Sequence, residues 1–515
     1  MNWSHHPRPE HWKERKNMNR NDTFLWLFGM VFLLQASLPA AAENVARPRA
    51  EWSAHIHING RSHQISFDKD GALVNVESLT SEFPNAFKLL SDGLEISIGD
   101  QKQSRRLVRG QTVEHTIRRI AYDEYITLTA SNGEDTRGIR IRTLNSLLPS
   151  MQSAGTSPYP GHYYATLLNE KSLVKIDGKG EVVFYLRPDA PPAELVDLTV
   201  ADPTVTAGLV GFWDFKKHVL PNPTASGSGA PVVRYSYHDH NPDYNRIIMG
   251  GLGGGERVVL DERYREIARY KMVADSSSSI DAAEGHDFIL LADGHYIASS
   301  YEPVMVHNVP AVLNPNPQGS KVAAARLQEV KDGRVVFNWI STDHPELYGM
   351  SEAPFNDFAS VREQFPDYIH FNSMEIDPAD GNLICSFRNI SAILKIDRKT
   401  GDILWVLSGA GDEFGLAEEQ KTSNQHYARI APDGCLTIFD NNVKNRKSRV
   451  LKLTLDETRK TVTDYRQYHS GDRFSVVCGS AVNLTGNVFV IGWGGSSDGK
   501  SALTEIDFDS GKKIV

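Results

Sequence analysis

Apolar and polar residues alternate in short runs after the first fifty positions, and this alternation predicts β-strands. The clearest runs are His55-Ile56-His57-Ile58, Leu94–Ile98 and Tyr125–Thr129. Successive side chains of a strand point to opposite faces, so a period of two indicates strands with one buried and one solvent-facing side. We expect these strands to form a small N-terminal β-sandwich over residues 43–150, with His55 and His57 on its polar face.

A strand–turn–strand unit recurs from about Gly161 to the end of the chain, and it takes two forms. The first form turns at an aspartate followed by a glycine, and it lies at residues 169–184, 389–405 and 502–515. The second form turns at Ala-Asp-Gly or Pro-Asp-Gly, and it lies at residues 286–300, 370–387 and 426–439. We interpret the two forms as the outer and inner hairpins of a four-stranded blade.

The number of these units predicts the architecture of the larger part of the chain. Further units near Tyr163 and Tyr235 and at Ser480–Trp493 bring the count to about six. A radial array of such blades is a β-propeller. The sequence therefore predicts an all-β protein with a six-bladed β-propeller at residues 151–515, which would be the catalytic domain. The chain ends shortly after a lysine pair, so we expect the last blade to lack a strand or to borrow one from elsewhere.

The N-terminal segment has the order of a secretory signal. A basic stretch ending at Arg20 precedes an apolar run, Phe24–Leu34, and small residues follow at Pro39–Ala42. The apolar run is shorter than the roughly 20 residues that span a bilayer as a helix. We therefore predict a signal peptide at residues 1–42, a periplasmic or secreted protein, and no stable membrane span after cleavage. A retained anchor is the alternative, and Met18 is an alternative start.

Charge and cysteine content narrow the classes of partner. A formal net charge of −9 argues against nucleic acid, because phosphate binding needs a basic face. The three cysteines, Cys385, Cys435 and Cys478, are too few for a disulfide-framed scaffold. Neither a CxxC nor an HExxH motif is present, so the common cysteine-zinc and zincin signatures are absent.

Hairpin spacing places four polar residues at one end of the predicted blades. His370 lies nine residues before Ala379 in its turn and Arg388 nine after it, so the two should be neighbours. His286 and His426 each lie eight residues before the turn glycine of their own hairpin, so they should open equivalent strands. If the blades are radial, three imidazoles and one guanidinium converge near the axis.

Such a cluster suits a compact oxyanion, since arginine presents a fork of donors to paired oxygens and an oriented imidazole can act as nucleophile or base. Metal binding is a second interpretation, but Arg388 beside a cation would be unfavourable and no matching carboxylate opens these strands. A third is that the histidines merely cap strand ends. Cys478, eight residues before Gly486, has the same offset as His426 and either points into the same site or is a structural thiol.

A second group, His238-Asp239-His240, precedes Asn241-Pro242-Asp243. In a strand its two imidazoles would share a face and could line a pocket. Because a turn follows at once, we expect these histidines to lie in a solvated loop.

Four segments resemble, in their order and spacing, the bacterial aryl-sulfate sulfotransferases. They are Glu284–Phe288, Ile369–Ser373 with Arg388, Trp405–Gly409 and Asn424–His426, and the similarity covers about residues 135–510. Members of that family are exported six-bladed propellers with an N-terminal β-sandwich. They use no nucleotide sulfate donor, so the resemblance implies an enzyme that needs no cofactor.

The resemblance also implies separate roles for the clustered residues. His426 would take the sulfuryl group from a phenolic sulfate as an N-sulfohistidine and pass it to an acceptor phenol in a ping-pong cycle. His286, His370 and Arg388 would bind the sulfate oxygens, Asn372 would add a donor, and His286 or His370 would serve as general acid and base. No metal is implied, the partners are small phenolic molecules, and a homodimer stays open.

The chain departs from the family pattern in the loop before His426. The best-known members carry a short-range disulfide there, whereas Gly409–Gln425 contains no cysteine, so other contacts must hold the loop. Tyr164 and Trp493 are the candidates for an aromatic acceptor-binding residue. Two alternatives to a transferase remain: a non-catalytic propeller that binds a ligand or protein at this end, and an aryl sulfatase that uses water as acceptor.

Overall fold

The computed structural model describes residues 35–36, 52–67, 72–75, 85–91, 94–99, 104–115, 126–142, 153–167, 172–178, 180, 182–186, 212–221, 231–240, 254–262, 264–274, 281–315, 318–359, 365–495 and 502–515. The predicted signal segment lies outside these residues except for Gln35–Ala36, which forms the two-residue strand β1. In the part of the chain that is described, no helix is both long and apolar enough to cross a membrane.

Among the described residues near the N-terminus, nine strands form two sheets around one hydrophobic core. The strands are β2 (Ser53–Ile58), β3 (Arg61–Ser66), β4 (Ala72–Asn75), β5 (Asn85–Leu89), β6 (Glu95–Gly99), β7 (Ser104–Leu107), β8 (Thr112–His115), β9 (Ile126–Ser131) and β10 (Thr136–Arg142). The sheets have the orders β3-β2-β5-β8 and β4-β10-β9-β6-β7, and only the β4–β10 pair is parallel. Ile56 and Phe87 pack with Ile96 and Leu128 between the sheets, whereas His55 faces solvent, as the alternation predicts.

Six antiparallel sheets follow within the described residues. Their strands are β11 (His162–Leu167), β12 (Ser172–Asp177), β13 (Val182–Leu186), β14 (Phe212–Leu220), β15 (Val232–His240), β16 (Gly255–Leu260), β17 (Glu266–Tyr270), β18 (Ile289–Ala292), β19 (His295–Val306), β20 (Ser320–Lys331), β21 (Arg334–Ile340), β22 (Phe371–Ile376), β23 (Leu383–Phe387), β24 (Ala392–Ile396), β25 (Ile403–Leu407), β26 (His426–Ile430), β27 (Leu436–Asp440), β28 (Arg449–Asp456), β29 (Thr461–His469), β30 (Ser480–Thr485), β31 (Val488–Gly492) and β32 (Leu503–Asp507). The sheets are β1 with β11–β13, then β14–β17, β18–β21, β22–β25, β26–β29 and β30–β32, each with its strands in chain order. The chain is therefore all-β and built mainly from four-stranded antiparallel sheets.

Each of these six sheets shares a buried apolar cluster with the next sheet, and the last shares one with the first. At the closing contact, Tyr163 and Val174 pack with Leu484 and Val490. The Tyr163 hydroxyl also donates to Oε2 of Glu505 at 2.5 Å. The sheets thus form a closed ring, and burial of apolar surface between neighbouring sheets stabilises it.

Residues 512–515 pair with β32, the outer strand of the last sheet. The N–H of Ile514 donates to the carbonyl of Glu505 at 2.7 Å, and the N–H of Asp507 donates to the carbonyl of Lys512 at 2.9 Å. The N–H of Glu505 donates to the carbonyl of Val515 at 3.0 Å. Residues 512–515 therefore supply the edge that the sequence predicted to be missing or borrowed, while β1 pairs with β11 of the first sheet.

In three of the sheets, a cross-strand pair marks the end that carries the candidate site. Phe371 pairs with Phe387, His426 with Phe439, and Phe212 with Asp239. Antiparallel pairing brings the beginning of the first strand of each sheet next to the end of the second. We call the end of the ring at which β14, β22 and β26 begin the mouth.

Candidate active site

Three histidines and one arginine lie together at the mouth. The ring centroids of His286 and His370 are 5.1 Å apart, and those of His286 and His426 are 6.4 Å apart. The N–H of Arg388 donates to the carbonyl of His370 at 2.8 Å, because His370 directly precedes β22 and Arg388 directly follows β23. The three imidazoles are buried. The structure therefore brings together the four residues that hairpin spacing had placed at one edge.

The backbone near this cluster adopts conformations that non-glycine residues rarely populate. His370, Asn424, Tyr427 and Cys478 have φ values of 50°, 55°, 54° and 59°. A left-handed conformation costs free energy when a Cβ is present, and such residues gather at functional sites. Two strands that begin here, β22 and β26, also have register shifts at their first residues. The irregular backbone aims side chains in directions that regular strands would not.

A single amide sets the protonation of His426. Nδ2 of Asn441 donates to the carbonyls of Ser475 and Cys478, both at 2.8 Å, so its Oδ1 faces Nδ1 of His426 at 2.6 Å. An amide oxygen only accepts, so Nδ1 carries the hydrogen and Nε2 carries the lone pair. The N–H of Cys478 donates to that Nε2 at 3.2 Å. Burial, with the charges of Arg388 and His286, holds the pKa of His426 well below its ordinary value. His426 is therefore a neutral imidazole with its lone pair on Nε2.

The other two imidazoles are backed by carboxylates. Nδ1 of His286 donates to Oε2 of Glu284 at 2.7 Å, and Nδ1 of His370 donates to Oδ2 of Asp367 at 2.5 Å. Burial alone would raise the pKa of Glu284, but His286 and then Arg257 outweigh it and lower that pKa. Burial lowers the pKa of His370, while Asp367 acts in the opposite direction. A carboxylate at Nδ1 stabilises an imidazolium, which the amide at His426 cannot do to the same degree.

Arg388 is held on one side and keeps an unused donor. Its Nη1 donates to Oδ1 of Asn389 at 2.8 Å, and its Nε is buried without a hydrogen-bond partner among the described residues. Nδ2 of Asn389 donates in turn to the carbonyl of Asp367 at 2.6 Å. Burial lowers the pKa of Arg388, yet a guanidinium stays charged in proteins. A half-buried cation whose Nε donor is buried without a partner is suited to a bound oxyanion.

Asn372 binds the backbone next to His426. Its Nδ2 donates to the carbonyl of Gln425 at 2.6 Å, and its Oδ1 is buried without a partner in the described part of the chain. Gln425 directly precedes His426. Asn372 therefore links β22 to the start of β26 and helps to position His426.

A family model described as Arylsulfotransferase (ASST) matches residues 243–508, just over half of the chain. The chain belongs to the arylsulfotransferase family. The match includes all four clustered residues, and it confirms the family that the sequence motifs indicated. No curated protein matches the chain.

Solved structures resemble this arylsulfotransferase only remotely. A protein of unknown function from Bacteroides caccae is 11% identical, with a TM-score of 0.33 over 70% of this chain and 90% of its own. The β-propeller domain of Myceliophteria thermophila Cps50 (Swd1) is 10% identical, with a TM-score of 0.35 over 72% of this chain and 88% of its own. Citrobacter koseri AztD is 9% identical, with a TM-score of 0.29 over 76% of this chain and 91% of its own. Values this low support no inference about function.

A buried ionic network lies next to the cluster in this arylsulfotransferase. Asp287 follows His286, and its carboxylate accepts from Nζ of Lys216 at 2.5 Å and from Nη2 of Arg429 at 2.8 Å. The N–H of Met374 also donates to Asp287, at 2.8 Å. Burial would raise the pKa of Asp287, but Arg429 and Lys216 outweigh it and lower that pKa. One carboxylate therefore ties β14, β22 and β26 together beside His286.

Polar contacts hold the loop that lacks the family disulfide. Arg449 is buried, and its guanidinium donates to the carbonyls of Glu419 and Lys421 at 2.8 and 2.6 Å. Its Nε donates to Oδ2 of Asp440 at 2.7 Å. Oδ1 of Asp440 accepts from the N–H of Ser423 at 2.9 Å, three residues before His426. The pair Asp440–Arg449 thus fastens the loop to β27 and β28, and the three cysteines form no disulfide with one another.

The interpretation of His238 and His240 as loop residues is wrong. Both lie on β15 and are buried, because β15 pairs with β16 through His240 and Gly255. Nε2 of His238 lies 3.0 Å from the carbonyl of Ala283. Burial and Arg257 hold the pKa of His238 well below its ordinary value. A strand partner distant in sequence extends the strand beyond the point at which the local pattern predicts a turn.

Other residues fall outside the site or were missed. Tyr164 and Trp493, the candidates for acceptor binding, lie in hydrophobic cores. Glu284, Asp367 and Asn441, which orient the three imidazoles, were not predicted. Glu284 and Asp367 lie two and three residues before their histidines, so a search for carboxylates adjacent to each histidine would have found them.

Proposed function

We propose that this arylsulfotransferase transfers a sulfuryl group from a phenolic sulfate ester to an acceptor phenol by a ping-pong mechanism, without a nucleotide donor. The observation that carries the proposal is the contrast among three neighbouring imidazoles. His426 is neutral and amide-backed, with its lone pair on Nε2, whereas His286 and His370 are carboxylate-backed. The different partners assign different roles, because an amide oxygen at Nδ1 leaves a lone pair on Nε2, whereas a carboxylate at Nδ1 can stabilise a ring that donates a proton.

In the first half-reaction, the sulfate oxygens bind Arg388 and the imidazoles of His286 and His370. The hydrogen bond from the N–H of Cys478 to Nε2 of His426 breaks, and the lone pair on this Nε2 attacks sulfur. The bond from sulfur to the aryl oxygen breaks, and its electron pair leaves with the phenolate. His286 or His370 gives that phenolate a proton from Nε2. The product is N-sulfohistidine at His426, which keeps its hydrogen on Nδ1 and still donates it to Oδ1 of Asn441.

In the second half-reaction, the same acid acts as base. It takes the proton of an acceptor phenol, whose oxygen attacks the sulfur of the sulfohistidine. The N–S bond breaks, and its electron pair returns to Nε2 of His426. Two half-reactions let one site serve donor and acceptor alike, and no cofactor or metal takes part.

The proposal extends to architecture and location. We assign residues 1–42 as a signal peptide, residues 43–150 as an N-terminal β-sandwich and residues 151–515 as a six-bladed β-propeller. The shared core of the first two sheets and the closed ring of the next six support the two domains. The assigned location is periplasmic or secreted.

Mass spectrometry after incubation with p-nitrophenyl sulfate alone tests the mechanism. We expect one SO₃ adduct per chain, located on His426, and stoichiometric release of nitrophenol. His426→Asn should fold and form no adduct. His295→Asn is the matched control, because His295 also binds a carboxylate, Glu329 at 2.6 Å, yet lies outside the cluster. If the wild-type chain forms no adduct, the ping-pong mechanism is wrong. If an acceptor phenol leaves the rate of nitrophenol release unchanged, the chain is a sulfatase.

A further inference from the structure

One aromatic ring lies over the arginine of the cluster. The ring centroid of Phe355 is 5.6 Å from Cζ of Arg388, and the Phe355 side chain is half-buried between exposed neighbours. Tyr301 also contacts the cluster, with ring centroids 5.5 Å from His370, but it is buried and its hydroxyl donates to the carbonyl of Phe371. Of these two rings, Phe355 is the one that is partly exposed to solvent.

The turn that carries Phe355 is anchored to the cluster itself. The N–H of Phe355 donates to the carbonyl of Glu352, and the N–H of Glu352 donates to the carbonyl of Asn389, both at 2.9 Å. Asn389 is buried, and its side chain also binds Arg388 and the carbonyl of Asp367. The ring and the guanidinium are thus positioned by one residue, so their relative placement is set before any ligand binds.

From this placement we infer that Phe355 forms the aryl-binding subsite, which selects aromatic over aliphatic sulfate esters. The inference rests on the proposed function, in which Arg388 binds the sulfate oxygens. A guanidinium binds an oxyanion along its edge and leaves its face to an aromatic ring. The organic group of a bound ester is only one oxygen atom away from the sulfur, so it lies beside Phe355. Aromatic pairs with centroids about 4.5–7 Å apart attract each other beyond simple area burial.

Binding of unreactive sulfonates to the full-length protein tests this subsite without turnover. We would measure dissociation constants of benzenesulfonate and methanesulfonate by titration calorimetry. Phe355→Ala should weaken benzenesulfonate binding about tenfold and change methanesulfonate binding less than about twofold. Phe355→Tyr keeps an aromatic ring and should therefore keep the wild-type preference for benzenesulfonate over methanesulfonate. Phe365→Ala is the matched control, because Phe365 is also half-buried and lies over a cation, Lys321, at 5.7 Å.

Parallel weakening of both ligands in Phe355→Ala would overturn the inference, because it would mean that Phe355 only supports Arg388. A wild-type protein that does not prefer benzenesulfonate would overturn it as well. If Phe355→Ala does not fold, Phe355→Leu should still lose about two- to fivefold in benzenesulfonate affinity alone. Turnover separates the two proposals. A wild-type chain with the sulfonate preference but no histidine adduct disproves the function, and one with the adduct but no Phe355-dependent preference disproves the subsite.

Discussion

Oδ1 of Asn441 accepts the Nδ1 hydrogen of His426 at 2.6 Å, and the amide of Asn441 cannot flip because its nitrogen binds two carbonyls. The pair fixes one tautomer and leaves His426 neutral. A carboxylate at the same position would instead stabilise the imidazolium.

Asn441→Asp should therefore move the acidic limb of the pH–rate profile to higher pH. The added charge raises the pKa of His426, and a protonated Nε2 has no lone pair for sulfur. Activity is then lost as pH falls through the raised pKa, so kcat/KM at pH 6 should fall at least about tenfold more than at pH 9. The profile for p-nitrophenyl sulfate measures this shift. An equal loss at every pH would mean that Asn441 has only a structural role.

Arg449→Met should destabilise the protein and loosen the loop before His426. The substitution removes the donors to the Glu419 and Lys421 carbonyls and leaves the buried carboxylate of Asp440 uncompensated. Breaking a buried ion pair costs about 3–5 kcal/mol of the free energy of unfolding. Denaturant titration measures the loss. The double variant Asp440→Asn with Arg449→Met should recover part of it, and no recovery would show that the carbonyl contacts alone matter.

Hairpin spacing predicted the neighbouring positions of His370 and Arg388 because cross-strand pairing fixes which strand ends meet. It also indicated the repeated sheets, since the turn residues recur along the chain. The partners Glu284, Asp367 and Asn441 were missed for a physical reason. Their side-chain directions depend on bulges and left-handed backbone, as at His370, which no local pattern of apolar residues encodes.

The error at His238 and His240 has a related cause. Local residues after His240 predict a turn, but the pairing of β15 with β16 decides where the strand ends. Pairing between segments distant in sequence is a property of the folded sheet, so propensity alone does not show it.

Asp287→Asn should cost about 3–5 kcal/mol of the free energy of unfolding. The variant keeps the shape of the side chain but leaves Lys216 and Arg429 short of their shared carboxylate in a buried network. Glu95→Gln is the control, because Glu95 binds Arg106 with both side chains more than 60% exposed, and exposed pairs contribute at most about 1 kcal/mol. Thermal or denaturant unfolding compares them. Equal effects of the two variants would contradict a special role for the network.

Glu375→Gln should stabilise the protein above neutral pH. Oε2 of Glu375 accepts the N–H of Ile430 at 2.5 Å, and burial raises the pKa of Glu375 to about 7 although Arg429 opposes it. Between the ordinary pKa of glutamate and this raised value, the folded chain binds a proton that the unfolded chain has lost, so stability falls as pH rises through this window.

Glutamine keeps the acceptor oxygen and removes the titration. The variant should therefore exceed the wild type by on the order of 1–3 kcal/mol at pH 8 and match it near pH 4. Denaturant unfolding from pH 4 to pH 8 measures the difference. For Glu418→Gln, the stability difference from the wild type should change with pH in the opposite direction. A hydrogen bond from Lys421 lowers the pKa of that exposed carboxylate, so the wild type gains stability as pH rises. A stability difference for Glu375→Gln that stays constant with pH would show that folding does not shift the pKa of Glu375.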